Sequence, residues 1–119
     1  MGDPKQESFT ILSSDADGYS SAIDMLGYSI GGFYIPQMTA TTAYLYFESS
    51  EDGTTYDPVY YGADRLMVPV STSDAIRQQV LPSMYTEFRY LRVQAVTAAG
   101  VGVQQGANVA IKPKCKEYR

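Results

Sequence analysis

Alternation of apolar and polar side chains is the dominant pattern along this chain. The clearest case is TTAYLYFES, residues 41–49. Ala43, Leu45 and Phe47 occupy one face of this segment, and tyrosine and polar side chains occupy the other. A period of two residues is that of a half-buried β-strand. EFRYLRVQAVT, residues 87–97, alternates in the same way and predicts a second such strand.

Shorter segments of the same kind recur about every ten residues, with Gly, Pro, Ser and Asp between them. They are residues 8–13, 28–36, 55–61, 65–71 and 103–113, while residues 21–26 fit either a strand or a short helical turn. SDAIRQQVLPS, residues 73–83, is the helix candidate, with an extended segment as its alternative. This series of short strands predicts a single all-β domain over residues 1–119, either a sandwich or a barrel.

Glycine and proline restrict how two of these strands pair. Gly31 and Gly32 lie in the middle of YSIGGFYIP, residues 28–36. Such a position is typical of a β-bulge or of a close backbone approach. Pro69 lies within RLMVPVS, and a proline has no N–H to donate to a neighbouring strand. We therefore expect residues 65–71 to form an edge strand or to contain a bulge.

The acidic segment SSEDGTTYDP, residues 49–58, has three interpretations: a metal site, a sugar site and a hairpin turn. Glu51, Asp52 and Asp57 supply oxygen atoms, but the alternating ligands and closing glutamate of an EF-hand loop are absent. An Asp-box would need one more residue between Asp52 and Gly53. Asp-Gly between two alternating strands is a strong hairpin signal, because Gly adopts positive φ readily. Asp52 and Gly53 are therefore predicted to form a turn.

Composition argues against several functional classes. The chain has 119 residues and a net charge of −4, whereas a nucleic-acid binder needs a basic face. It has no histidine, which excludes Ser-His-Asp and Cys-His catalysis and histidine-ligated zinc. Asp15, Asp17 and Asp24 lie in a serine-rich loop and are predicted to be solvated, not to form a glycosidase pair. We expect a protein that is not an enzyme, with no catalytic residue, cofactor or metal.

The termini are polar, and no apolar segment approaches the length of a membrane span. No membrane association is therefore predicted. Residues 1–8 fit either an ordered segment or an arm that inserts into a neighbouring subunit. Residues 114–119 form a basic tail, predicted to be frayed or to reach toward a partner. A basic tail on an otherwise acidic chain would guide docking between subunits.

Eleven tyrosines and no tryptophan make the aromatic content unusual. Tyrosine fits a half-buried pleated surface, and it is also enriched in protein interfaces. The tyrosines predicted to form an interface are Tyr44, Tyr46, Tyr60 and Tyr61. Arg89 and Arg92 are predicted to form salt bridges or to cover apolar surface, and in a second interpretation they contact an acidic partner.

Four motifs occur in a particular order along residues 20–113. They are a glycine followed by a short apolar strand ending in proline (residues 32–36), an alternating strand with an S-x-D-G turn (44–56), a Pro-Val-Tyr strand (58–60) and an R-Y-L-R strand (89–92). In this order they resemble small virion proteins of tailed bacteriophages, of the head-decoration and head-fibre type. Proteins of this group often have a second glycine in the turn, where this chain has Thr54 after Gly53.

The resemblance implies a jelly-roll-like antiparallel β-sandwich that self-associates on the particle surface, as a trimer or dimer. It carries over no catalytic residue. The function expected from it is that of a capsid decoration (cement) protein or head-fibre base. Such a protein is made in the host cytoplasm, resides in the virion, and binds the major capsid protein or other virion proteins. The alternative is a carbohydrate- or receptor-binding module of a phage tail or fibre, because exposed tyrosines stack on sugar rings.

Overall fold

The computed structural model of the protein describes residues 7–25, 28–72, 76–80 and 88–117. These residues form eleven β-strands and no helix. The strands are β1 (Phe9–Ile11), β2 (Ile23–Asp24), β3 (Tyr28–Pro36), β4 (Tyr44–Ser50), β5 (Asp57–Pro58), β6 (Tyr60–Tyr61), β7 (Asp64–Arg65), β8 (Met67–Pro69), β9 (Ile76–Val80), β10 (Tyr90–Val96) and β11 (Val109–Glu117).

Two antiparallel sheets contain all of these strands except β6 and β7. The first sheet has the order β1-β11-β3-β9. The second has the order β2-β10-β4-β5, and β8 also pairs with β4. Because β10 pairs with β4 along its whole length, β5 and β8 share the other edge of β4, one after the other. They act as two halves of one interrupted strand.

With β5 and β8 counted as one strand, each sheet has four strands and the chain passes repeatedly from one sheet to the other. Strands β1, β3, β9 and β11 lie in the first sheet, and the strands between them, except β6 and β7, lie in the second. This is the arrangement of a double-sheet jelly roll. The prediction of an all-β, jelly-roll-like antiparallel sandwich is confirmed.

The core lies between the inner faces of the two sheets. Phe33 of the first sheet contacts Phe47 of the second, with ring centroids 5.4 Å apart. Phe9 packs against the same Phe33 ring at 6.0 Å. Alternation places Leu45 and Phe47 of β4 inward, as predicted, and Leu91 begins the inward set of β10. Full burial of each such side chain contributes roughly 1.5–3 kcal/mol.

Two glycine and proline predictions are confirmed in the pairing of the strands. Lys114 pairs with Gly32 and Cys115 pairs with Ile30, so Gly31 is the extra residue of a β-bulge. Pro69 ends β8, which lies on the outer edge of β4, where its missing N–H breaks no pairing.

The structure corrects the predicted basic tail. β11 extends to Glu117, so residues 114–117 are paired with β3 instead of being frayed. The nine residues of β3 give this polar segment a partner strand that its own sequence does not reveal. Residues 118–119, and residues 1–6 of the proposed N-terminal arm, lie outside the described residues.

The helix candidate is wrong where the structure describes it, and its extended alternative is correct. Residues 76–80 form β9, which pairs with β3 from Gly32 to Pro36. Pairing with a long neighbouring strand overrides the weak local helix signal. The remainder of the candidate, residues 73–75 and 81–83, lies outside the described residues.

Strands β6 and β7 form a hairpin that leaves the second sheet between β5 and β8. Val59 and Leu66 are buried at its base, and the Leu66 N–H donates to the Val59 carbonyl at 2.9 Å. The Val59 N–H in turn donates to the carbonyl of Phe47 at 3.0 Å. Gly62, with φ of 67°, lies in the turn. The β6–β7 hairpin is thus anchored at its base and exposed at its tip.

Gly18 and Gly62 both have positive φ, but they differ in how much room an added Cβ atom would have. A Cβ at Gly18 would clash with the carbonyl oxygens of Val103 and Ala95, whereas a Cβ at Gly62 would meet no atom within 4 Å. We expect Gly62→Ala to lower the free energy of unfolding by about 1–2 kcal/mol, the cost of the left-handed conformation. Gly18→Ala should cost about 3 kcal/mol or more, because steric strain adds to that cost. Urea denaturation measures both, and equal losses would contradict the prediction.

Candidate binding surfaces

The outer face of the second sheet carries tyrosine and charged side chains from neighbouring strands. Glu48 of β4 lies directly opposite Arg92 of β10 in the antiparallel register. Around this pair lies a group that we name the Glu48 cluster. Its members are Glu48, Arg65, Arg92, Tyr19, Tyr46 and Tyr56.

The Glu48 carboxylate balances two arginines. Its Oε1 accepts hydrogen bonds from Arg92 Nε at 2.9 Å and from Arg92 Nη2 at 2.6 Å. Its Oε2 lies 3.6 Å from Arg65 Nη2, an ion-pair distance that is too long for a hydrogen bond. The Glu48 side chain is only 10% exposed. A largely buried carboxylate therefore holds the guanidinium groups of β10 and β7 on the face of β4.

Aromatic rings cover both guanidinium groups. Arg92 lies between the rings of Tyr19 and Tyr56, 4.2 Å and 4.3 Å from their centroids. Arg65 lies 4.3 Å from the centroid of Tyr46. Burial raises the pKa of the Tyr19 and Tyr56 hydroxyls, and the Glu48 charge raises the pKa of Tyr19 further. Such cation–π contacts contribute about 0.5–2 kcal/mol each.

The guanidinium group of Arg65 has fewer hydrogen-bond acceptors than that of Arg92. Its Nε and Nη2 atoms are buried and have no hydrogen-bond acceptor among the described residues. Attraction to Glu48 and contact with the Tyr46 ring hold the side chain despite this. Since Arg65 ends β7, these contacts tether the β6–β7 hairpin to the outer face of the second sheet.

The two arginines predicted as interface residues form ion pairs within the chain. Arg92 binds Glu48, as described above. Arg89 donates from Nε and Nη2 to the two carboxylate oxygens of Asp24, at 2.8 Å and 3.1 Å. Hydrogen bonding to Asp24 raises the pKa of the Arg89 guanidinium. These pairs match the first interpretation of the arginines, whereas contact with an acidic partner remains a prediction.

The four predicted interface tyrosines fall into two pairs with different surroundings. Tyr44 and Tyr46 of β4 are half-buried on the outer face of the second sheet, and Tyr46 holds Arg65. Tyr60 and Tyr61 lie on the β6–β7 hairpin and are 56% and 54% exposed. The hairpin pair therefore offers the more accessible aromatic surface.

The predicted Asp-Gly turn connects β4 and β5, and it is longer than two residues. Residues 51–56 form the connection, since Ser49 pairs with Asp57. Asp52 Oδ1 accepts hydrogen bonds from the N–H groups of Thr54 and Thr55, at 2.8 Å and 2.9 Å. Gly53 has the positive φ expected of it, 78°. The residues form a hairpin connection, as predicted.

Ser50 is the serine of the S-x-D-G pattern, and the sequence analysis did not predict the hydrogen bonds that it makes in this turn. Its Oγ accepts hydrogen bonds from the N–H groups of Asp52 and Gly53, at 3.2 Å and 2.9 Å, and donates to Asp52 Oδ1 at 2.9 Å. The signal was present in the sequence, because serine commonly bonds the backbone two or three residues onward. Ser50 and Asp52 together satisfy the polar groups of the loop.

The loop carboxylates considered as a catalytic pair have separate partners. Asp15 Oδ1 accepts hydrogen bonds from the N–H groups of Asp17 and Tyr19, at 3.0 Å and 3.2 Å. Asp24 lies in strand β2, and its carboxylate, only 15% exposed, binds Arg89, so the prediction that Asp24 is a solvated loop residue is wrong. A cavity of about 210 Å³ adjoins this loop, lined by Thr10, Leu12, Asp15, Tyr19, Ser20 and Ser21.

Removal of the Glu48 charge tests the Glu48 cluster. We expect Glu48→Gln to lower the free energy of unfolding by about 2–4 kcal/mol, because it leaves two nearby guanidinium groups without a carboxylate. Asp24→Asn is the matched control, since it breaks the more exposed Arg89 pair and should cost less. Urea denaturation of both variants provides the comparison. A larger loss for Asp24→Asn would show that the Glu48 cluster is not the stronger ion-pair group.

The Asp52 carboxyl should titrate well below its ordinary value. Backbone N–H donors from Thr55 and Thr54, with the Ser50 hydroxyl, lower the pKa of Asp52 from 3.8 to about 2. Because the folded pKa is the lower one, this group stabilises the fold above pH 3.8. That contribution is lost as pH falls through about 2.

Carboxyl ¹³C shifts of Asp52, followed by NMR against pH, measure the folded pKa directly. In Ser50→Ala the midpoint should rise toward the ordinary value, because one stabilising donor is gone. A midpoint in Ser50→Ala equal to that of the native chain would show that the serine does not act on this carboxylate.

The described residues contain neither a candidate metal site nor a membrane-spanning helix. Within residues 7–25, 28–72, 76–80 and 88–117, no three acidic or cysteine side chains are grouped to hold a metal ion. The same residues include no helix able to cross a membrane. Comparison of the chain with protein-family models and with curated proteins gives no match. Function must therefore be argued from the residues and geometry of this chain.

Proposed function

We propose that the protein is a non-enzymatic structural component of a bacteriophage virion. In this role it binds and stabilises the capsid surface, as a decoration (cement) protein or as the base of a head fibre. Two observations support the proposal: the ordered motifs over residues 20–113 and the jelly-roll strand order. The observation that carries it is the display of Tyr60 and Tyr61 at the exposed end of the β6–β7 hairpin.

The hairpin suits a protein contact because its base is fixed and its tip is accessible. Val59 and Leu66 are buried at the base, and Arg65 is tethered to Glu48 and Tyr46. Little conformational freedom is then lost when the tip docks, which favours affinity. Tyrosine is one of the residues most often found at the energetic centre of a protein interface.

The shape of this surface favours a protein partner over a small molecule. Small-molecule sites are concave and bury most of their ligand. Tyr60 and Tyr61 instead lie on a hairpin that leaves the sheet, with more than half of each side chain exposed. The partner proposed for them is the major capsid protein or another virion protein, after synthesis of the chain in the host cytoplasm.

In the proposed mechanism, the contacts of the decoration protein add to those that already hold the capsid together. A decoration protein that bridges capsid subunits adds buried surface, so particle opening must also break those contacts. The gain rises with the free concentration of the decoration protein and with its affinity. Modest affinity at each copy suffices, because many copies act on one particle.

The cavity beside residues 12–21 supports a second candidate, a carbohydrate- or receptor-binding module. It is lined by Leu12, Asp15 and Tyr19 and by the hydroxyl-bearing residues Thr10, Ser20 and Ser21. Aromatic surface with hydroxyl and carboxylate groups is suited to saccharides. Saturable binding in a glycan screen that is lost in Tyr19→Ala would favour this candidate over the capsid-binding one.

Removal of the hairpin tyrosines tests the proposed function. We expect Tyr60→Ser with Tyr61→Ser to weaken binding to capsids of the parent phage about 10- to 100-fold, because central interface tyrosines contribute strongly. Co-sedimentation with capsids that lack the protein measures binding. The control is Val101→Ser, which removes a 62% exposed apolar side chain from a different loop.

Thermal unfolding must show that the double variant keeps the native fold, as expected for side chains that are mostly exposed. Undiminished capsid binding by the folded double variant would overturn the role of the hairpin. A drop of equal size in Val101→Ser would show that the effect is not specific to the tyrosines.

A further inference from the structure

Two lysines lie on the described part of the outer face of the first sheet. Lys112 and Lys114 lie two residues apart on β11 and are both exposed. Tyr34 of β3 pairs with Lys112 in the register, and Lys114 Nζ lies 4.7 Å from the centroid of its ring. We name Tyr34, Lys112 and Lys114 the lysine face.

The β6–β7 hairpin has the opposite charge. Asp64 pairs with Tyr61 across the hairpin, and Asp57 precedes it in β5. Both aspartates are exposed. The Arg65 cation is turned toward Glu48 and Tyr46, so it does not neutralise the exposed tip. The hairpin therefore presents two tyrosines together with negative charge.

The lysine face and the hairpin belong to different sheets. The lysine face is the outer surface of the first sheet, and the hairpin extends from the edge of the second. The apolar core, with Phe33 and Phe47 at its centre, separates the two sheets. Each chain thus carries both members of a complementary pair of surfaces on separate parts of the sandwich.

We infer that the β6–β7 hairpin of one copy docks on the lysine face of a second copy. This inference rests on the proposed function, and it takes a second copy of the chain, itself another virion protein, as the partner of the hairpin. Asp57 and Asp64 would face Lys112 and Lys114, while the hairpin tyrosines cover the lysine stems and Tyr34. Long lysine stems carry apolar surface beneath a charged end, so they suit an aromatic cover.

The contact joins two different patches, so the assembly is heterologous. A head-to-tail contact closes into a ring when the rotation between copies allows it, and otherwise grows as a chain. A small ring would account for the trimer expected from the sequence resemblance. Because the charged groups are exposed, their attraction is screened by salt, and self-association should weaken as ionic strength rises.

Two variants with opposite charge reversals test this contact. The first, Lys112→Glu with Lys114→Glu, keeps the acidic hairpin and makes the sheet face acidic. The second, Asp57→Lys with Asp64→Lys, keeps the lysine face and makes the hairpin basic. Each variant alone opposes like charges, so we expect its self-association to be at least about 10-fold weaker than that of the native chain.

An equal mixture of the two variants should associate again, because every junction between unlike copies then pairs opposite charges. Light scattering coupled to size exclusion, at low salt, reports species in multiples of 13.1 kDa. Asp64→Lys alone should also weaken self-association. Its matched control is Asp17→Lys, an equal change of charge at an exposed loop residue outside both surfaces. It should leave self-association unchanged.

Three results would overturn the inference: a native chain that stays monomeric at low salt, variants that associate as the native chain does, or a mixture that stays monomeric. The failure of the proposed function is distinguishable from these. Capsid binding without self-association would remove only the inference. Self-association without capsid binding, measured by co-sedimentation, would remove only the capsid role.

Discussion

This structure depends on one constraint: the inner faces of the two sheets must be buried against each other. The contact between Phe33 and Phe47 is its clearest example. The chain crosses repeatedly between the sheets, so residues far apart in sequence must meet before either sheet is complete. Neither sheet can bury its apolar face alone. The hydrophobic contact between sheets therefore fixes the jelly roll, and the hydrogen-bonded registers follow within it.

The same constraint determines what lies outside. Since Leu45 and Phe47 face inward, Tyr46 and Glu48 must face outward, and the partner strands bring Arg92 and Arg65 to them. The result is a cluster satisfied mainly within the chain. Its arginines stabilise the sheet and tether the β6–β7 hairpin. The accessible aromatic surface therefore lies on the hairpin and not on the sheet face.

A protein of this architecture is suited to assembly through rigid, separated surfaces. The sandwich holds the hairpin and the lysine face at fixed positions, with opposite charges on the two. Rigid display reduces the entropy lost on docking, and charge complementarity selects the orientation of approach. Both properties would serve the proposed role on a particle surface, where many weak contacts act together.

The sequence by itself determined the all-β class, the inward face of β4, the alternation of β10, a bulge or close backbone approach at Gly31–Gly32 and the turn at Asp52. Each of these depends on a period of two residues or on the backbone preference of one residue, which are local properties. Only the tertiary structure decided that residues 76–80 form a strand, that β11 extends to Glu117, and that Glu48 binds Arg92 across 44 residues. Only the tertiary structure also decided that Tyr44 and Tyr46 on the sheet are half-buried while Tyr60 and Tyr61 on the hairpin are exposed. These features depend on which distant strand becomes a neighbour, and no local pattern encodes that choice.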